Sequence, residues 1–128
     1  MKKILLTGLF LLVAGVAFAQ KPVNPREVQF NDPNDYVLMT GWEIAFFLPG
    51  ATEPVQGPQS IGKPPVTSTG CVLVSPCIIG AINTQPIPFG LNYTAKVRGI
   101  AGEFVSEWSD PSGPFDRIPG KPGGTVVK

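Results

Sequence analysis

The sequence predicts an all-β fold, a sandwich of about seven short antiparallel strands, on three observations. Residues 92–115, NYTAKVRGIAGEFVSEWSDPSGPF, alternate apolar and polar side chains, turn near Gly99-Ile100-Ala101-Gly102 and resume. Alternation on both sides of a glycine-bearing turn is the pattern of a β-hairpin with one face meant for a core. Fifteen prolines and fifteen glycines fall between apolar runs rather than replacing them, so they punctuate short strands. Beyond the first nineteen residues, no stretch carries the 3.6-residue periodicity of an amphipathic helix.

The elements follow in chain order. Residues 1–19 read as an export signal. Lys2 and Lys3 open it, residues 4–18 are an almost unbroken apolar run, and Ala17-Phe18-Ala19 offers small residues at both peptidase positions, which puts the cut before Gln20. The alternative is an uncleaved anchor, but the run is short for a membrane span, which needs about 20 apolar residues. No Cys follows the run to carry a lipid, and the short Lys-Lys start is of bacterial kind, so the expected location is periplasmic, at the cell surface or secreted. What remains is about 110 residues, the size of one domain.

Residues 20–26 form a polar lead-in. Residues 28–30 read as a short strand with Val28 and Phe30 on one face, and residues 31–35 as a loop. Residues 40–48 read as a strand in which Trp42, Ile44 and Phe46 share a face, closed by Pro49-Gly50. Residues 51–68 hold at most short edge strands around Val55 and Val66, because proline removes ladder donors. Residues 71–74 and 77–82 read as buried-type strands, residues 83–90 as a proline-rich loop, and residues 93–98 as the first hairpin arm. The second arm begins between Phe104 and Trp108. Residues 119–128 read as a flexible tail. No internal repeat is expected. The inward set is Val28, Phe30, Trp42, Ile44, Ile82, Tyr93, Ala95 and Val97.

Cys71 and Cys77 are the only cysteines, and behind an export signal they predict a disulfide. Six residues of extended strand would hold them roughly 20 Å apart, so the chain must turn between them, and Ser75-Pro76 suits a turn. A redox pair or half a metal site is the other reading, but there is no CxxC and no histidine.

Composition excludes more than it assigns. The chain has 10 Lys+Arg and 9 Asp+Glu, and the signal removes two of the lysines, so no basic excess remains for a nucleic acid backbone. Without histidine, a Ser or Cys nucleophile lacks its commonest base, and no enzyme or cofactor is expected. Asp110 and Asp116 flank a turn and read as turn formers. Asp32, Asn34 and Asp35 are oxygen donors in one loop, but their spacing completes no calcium loop and suits a turn. Asn92-Tyr93-Thr94 fits the N-glycosylation triplet, which a bacterial source would leave unused.

Four segments resemble one family. Val28-Gln29-Phe30 before Asp32-Pro33, then Gly41-Trp42-Glu43-Ile44, then the run from Pro88 through Asn92-Tyr93-Thr94-Ala95-Lys96-Val97-Arg98, and Ser106-Glu107-Trp108-Ser109-Asp110-Pro111 are together similar to fibronectin type III domains. The likeness covers about residues 23–118. It implies an immunoglobulin-like sandwich in which Tyr93 is the corner tyrosine, its hydroxyl bonded to the preceding loop. The last segment also matches half of a cytokine-receptor Trp-Ser-x-Trp-Ser box, with Val105 where the first Trp would stand. By analogy with the family, Trp108 lies outward and Arg98, of opposite parity to Tyr93, Ala95 and Val97, stacks on its indole. Phe30, Trp42, Tyr93, Arg98 and Trp108 are then structural residues.

The functional expectation is a non-catalytic exported module that contacts a protein or glycan through loops at one end of the sandwich. Tyr36, Val37, Leu38, Met39, Ile100 and Phe104 are the candidate contact residues there, unless Val37 and Leu38 only cap the core. A structural subunit of a surface assembly, in which Thr125-Val126-Val127-Lys128 adds a strand to a neighbour, is the second reading. A small secreted enzyme or inhibitor is the third.

Overall fold

The structure is a computed structural model that describes residues 21–128. The expected export signal, residues 1–19, therefore lies outside the described residues. Among the described residues, eight strands follow in order: β1 (Glu27–Phe30), β2 (Gly41–Phe47), β3 (Gln56–Gly62), β4 (Val66–Thr67), β5 (Cys77–Ala81), β6 (Gly90–Ala101), β7 (Phe104–Val105) and β8 (Phe115–Arg117). A single 3-10 turn, Tyr36–Leu38, lies between β1 and β2. The strands form two antiparallel sheets packed face to face, a β-sandwich. One has the order β1-β5-β4. The other has the order β3-β2-β6-β7, with β8 also paired to β6.

The alternation seen in the sequence sets the core. Trp42, Ile44 and Phe46 of β2 and Tyr93, Ala95 and Val97 of β6 are buried together, with Val28, Phe30 and Ile82 half-buried against them. These inward residues lie where the alternation placed them. Met39, Ile78, Ile87 and Phe115 complete the cluster. Phe46 and Tyr93 both pack on Phe115, at ring-centre distances of 5.8 Å. The Tyr93 hydroxyl donates to the Pro88 carbonyl at 2.9 Å, which ties the strand to its incoming loop.

Gly99, inside β6, lies close under Met39 and Trp42. A Cβ there would lie 2.5 Å from the Met39 methyl and 3.3 Å from the Trp42 indole nitrogen. The hairpin turns on Gly102-Glu103, between the paired residues Ala101 and Phe104. Gly102 takes φ 65°, the left-handed region that glycine enters at no steric cost.

Several expectations are corrected. Residues 71–74 form no strand, and Val72 and Val74 are 88% and 80% exposed. The Cys71–Cys77 disulfide holds the two Cα atoms 6.0 Å apart, so the chain between them curls into a closed loop and cannot run extended. Thr40 and Leu48 lie outside β2. β3 is longer than a short edge strand, because Pro58 lies on a strand bonded on one side only. Asp116 forms no turn; it sits within β8. The second hairpin arm is strand only at Phe104–Val105.

Beyond that point a tripeptide repeat takes over, in Ser106-Glu107-Trp108, Ser109-Asp110-Pro111 and Ser112-Gly113-Pro114, where no repeat was expected. The N–H groups of Ser106, Ser109 and Ser112 donate to the carbonyls of Gly99, Val97 and Ala95 at 2.8–2.9 Å. In return, the N–H groups of Gly99, Val97 and Ala95 donate to the three serine hydroxyl oxygens at 2.8, 3.0 and 2.9 Å. Each hydroxyl donates onward to the carbonyl of the next residue. A side-chain oxygen thus replaces the backbone carbonyl that a strand would supply. Three residues of the strip match two of β6, so no continuous strand can form.

The disulfide closes a short loop, and chain-entropy reasoning gives it about 2 kcal/mol. Cys71→Ser with Cys77→Ser should lower stability by about that amount. Urea unfolding of the oxidised protein and the double variant measures it, and equal midpoints would show that the bond constrains nothing.

Candidate functional site

Strand directions decide which loops meet. The loop from Phe30 to Gly41, the 68–76 loop between β4 and β5, and the β6–β7 turn all leave the sandwich at the same end. Cross-links confirm the grouping. The Asn31 side-chain amide donates to the carbonyls of Val74 and Pro76, both at 2.9 Å. The Gln29 side chain donates to the Gly70 carbonyl and accepts the Val72 N–H. The Thr40 N–H donates to the Ile100 carbonyl at 2.8 Å, and the Thr40 hydroxyl accepts the Gly102 N–H.

The loop from β1 to β2 is built on its acids. Asp32 accepts the Asn34 N–H and, at 2.6 Å, the Trp42 indole N–H. Asp35 caps the 3-10 turn by accepting the Val37 N–H. Tyr36 stacks on Trp42, and its hydroxyl donates to the Pro64 carbonyl at 3.1 Å. Those bonds account for the Asp32, Asn34 and Asp35 cluster as turn structure. Among the described residues, no group of three or more His, Cys, Asp or Glu is placed to hold a metal ion.

The candidate contact residues divide. Val37, Leu38 and Phe104 are exposed, at 79%, 69% and 72%. Met39 is buried in the core and offers no surface, because its chain returns under Trp42 to start β2. Tyr36 and Ile100 are half-buried. The residues missed are Val72, Leu73 and Val74, which the closed loop presents outward at the same end, and Val105 beside Phe104. A sequence signal existed. Two cysteines six apart around Ser-Pro force a closed loop, and a loop that small cannot bury three consecutive aliphatic side chains.

Arg98 and Trp108 meet as expected, with the guanidinium 4.3 Å from the indole centre. Arg98 also pairs with Glu43 at 2.7 Å. Trp108 meets Phe47 edge-on at 6.0 Å, and the Lys96 ammonium lies over the Phe47 ring. The stack covers the outer face of β2, which explains why Phe47 is buried there. Trp108→Ala should therefore lower the melting temperature by uncovering Phe47, and an unchanged melting temperature would free this face for a ligand role.

At the opposite end, Asn92 takes φ 62°. Its N–H donates to the Asp116 carboxylate at 3.0 Å, and its amide oxygen accepts from Lys21. Lys21 also pairs with Asp116 at 3.0 Å. The Asn92 N–H first, and Lys21 second, hold the Asp116 carboxyl below the usual carboxylate range. A carboxyl lowered by folding stabilises the fold at pH above its unfolded value, and that share is lost as pH falls through its folded value. Asp116→Asn should therefore flatten the acid limb of melting temperature against pH and leave the neutral region unsloped. An acid limb of unchanged steepness would contradict this.

Among the described residues, no helix is long and apolar enough to cross a membrane. No family model, curated protein or solved structure matches the chain.

Proposed function

We propose that this is an exported, non-catalytic binding module of fibronectin type III kind, which contacts a protein or glycan through the loop end of its sandwich. The supporting observation is that three loops converge at one end and present exposed apolar pairs or triplets there: Val37-Leu38, Val72-Leu73-Val74 and Phe104-Val105. Isolated exposed apolar residues are ordinary, but several gathered on loops held by rigid sheets are characteristic of interaction sites. The disulfide holds the 68–76 loop in shape, which lowers the ordering cost of binding. A disulfide also suits an oxidising compartment, in line with the export segment.

The test uses immobilised residues 20–128 against a glycan array and a displayed library of extracellular protein fragments. A ligand retained by the native chain, and lost when Val37, Val72 and Phe104 are all replaced by aspartate at unchanged melting temperature, supports the reading. A ligand that the triple variant still holds, or none in either panel, overturns it.

A further inference from the structure

The flank of the sandwich between β1 and the serine strip, which reaches the 31–34 loop at one end, has an empty strand position. β1 forms one edge of the small sheet, and among the described residues no strand lies on its outer side. Across the flank stands the serine strip beside β6. Two clefts lie between these walls. One, of about 220 Å³, is lined by Val28, Ile82, Ala95 and Phe115. The other, of about 240 Å³, is lined by Phe30, Trp42, Val97 and Ser109. Ala95 and Val97 are successive inward residues of β6, so the two clefts follow one another along the groove side of that strand.

The β1 edge is ready to pair. The Ile82 N–H donates to the Arg26 carbonyl at 3.0 Å, in register with the β1–β5 ladder. Bonded and non-bonded pairs alternate along an antiparallel ladder. Val28 and Phe30 therefore bond β5, while Glu27 and Gln29 turn their backbone N–H and C=O groups to the open side. On the wall opposite, the β6 donors at Ala95, Val97 and Gly99 are already taken by the serine hydroxyls.

The same chain carries an unpaired strand-forming segment. Residues 125–128, Thr-Val-Val-Lys, lie in no strand, and Val126 and Val127 are both exposed. Their β-branched side chains favour extended structure, and their four residues match the four of β1. The segment follows Pro119-Gly120-Lys121-Pro122-Gly123-Gly124, a spacer that leaves the sandwich at Ile118, which Asn24 pins by bonds to its N–H and C=O. Held extended by its prolines, such a spacer carries the segment up to about 19 Å away from its own sheet.

We propose that residues 125–128 of one copy lie as a strand on the outer edge of β1 in a second copy. Thr125 and Val127 point into the groove, and Val126 and Lys128 point out. The opposite phase would place the Lys128 ammonium against Val28, Ile82 and Phe115, at a high desolvation cost. The chosen phase puts it on the outer sheet face, which carries the Glu27 carboxylate. This goes beyond the loop-end reading and uses none of its residues, so each can fail alone.

The test is sedimentation of residues 20–128 over a concentration series, with amide exchange at Glu27 and Gln29 followed in parallel. The expected result is association that grows with concentration, accompanied by protection of both amides. Val127→Asp should abolish both, and because Val127 is 90% exposed its replacement leaves the sandwich folded, as circular dichroism would verify. A monomer at every concentration with unprotected amides overturns the proposal. So does a monomer with protected amides, which would mean that the segment folds onto its own edge. Association that Val127→Asp leaves intact overturns it too.

Discussion

Trp42→Ala is expected to cost about 3–5 kcal/mol, the range for truncating a buried aromatic residue. A small domain has about 5–15 kcal/mol in total, so the change removes a large share of the stability and should lower the unfolding midpoint sharply. Trp42 is 1% exposed and meets Phe30 at 5.7 Å and Tyr36 at 5.9 Å. Alanine would open a cavity bounded by β-sheet on one side, which cannot collapse into it, and by the 31–40 loop on the other, which can. The indole N–H is also the partner of Asp32. Trp42→Phe separates the two effects: it keeps most of the packing and leaves Asp32 without its donor. Because Asp32 can turn to water, that variant should lose only about 1 kcal/mol. Urea midpoints with an unchanged m-value measure both. A loss under about 1 kcal/mol for Trp42→Ala would show that the loop closes over the gap and that Trp42 does not organise the core. The alanine variant should also speed amide exchange at Val37 and Leu38, since Trp42 fixes their loop through both Asp32 and Tyr36.

How legible the molecule was depended on which period each segment obeyed. β2 and β6 are buried on one face, so their apolar residues recur every second position, and Trp42, Ile44, Tyr93, Ala95 and Val97 could be oriented without a structure. The sandwich followed from them. Phe47 broke the pattern because the outer face of β2 is covered as well, by Trp108 and Lys96. Residues 71–74 misled for the opposite reason. Cys-Val-Leu-Val has the composition of a buried strand, and composition alone cannot separate an apolar run inside a sheet from one held on a closed loop. The cysteine spacing carried that distinction. Met39 lay beside two exposed residues in the sequence and looked like surface, yet the single 3-10 turn reverses its direction and sends it under Trp42. Half of the loop end was therefore visible as Val37, Leu38 and Phe104, and the half held by the disulfide was not.

The last expected result concerns the Ser-x-x-Ser-x-x-Ser strip, whose three-residue period is neither that of a strand nor that of a helix and so gave no pattern signal. Replacing Ser106, Ser109 and Ser112 together by alanine should cost about 3 kcal/mol or more, since each change leaves one β6 N–H without its acceptor at roughly 1–3 kcal/mol. The groove beside the strip admits water to some of these groups, which favours the lower part of that range. The three sites share one segment, so their losses need not sum, and single variants alongside the triple give the coupling. Threonine at the same positions keeps the hydroxyl, so a threonine triple variant should recover most of the stability. That recovery distinguishes a hydrogen-bonding role from mere chain packing, because alanine and threonine change volume in opposite directions. If alanine proves neutral, the strip is only laid over β6, and the β6 edge is as open as that of β1. If the loss appears, the two edges of the flank differ in kind: β6 has its Ala95, Val97 and Gly99 donors taken by hydroxyl groups, and β1 keeps its Glu27 and Gln29 N–H and C=O groups for an incoming strand.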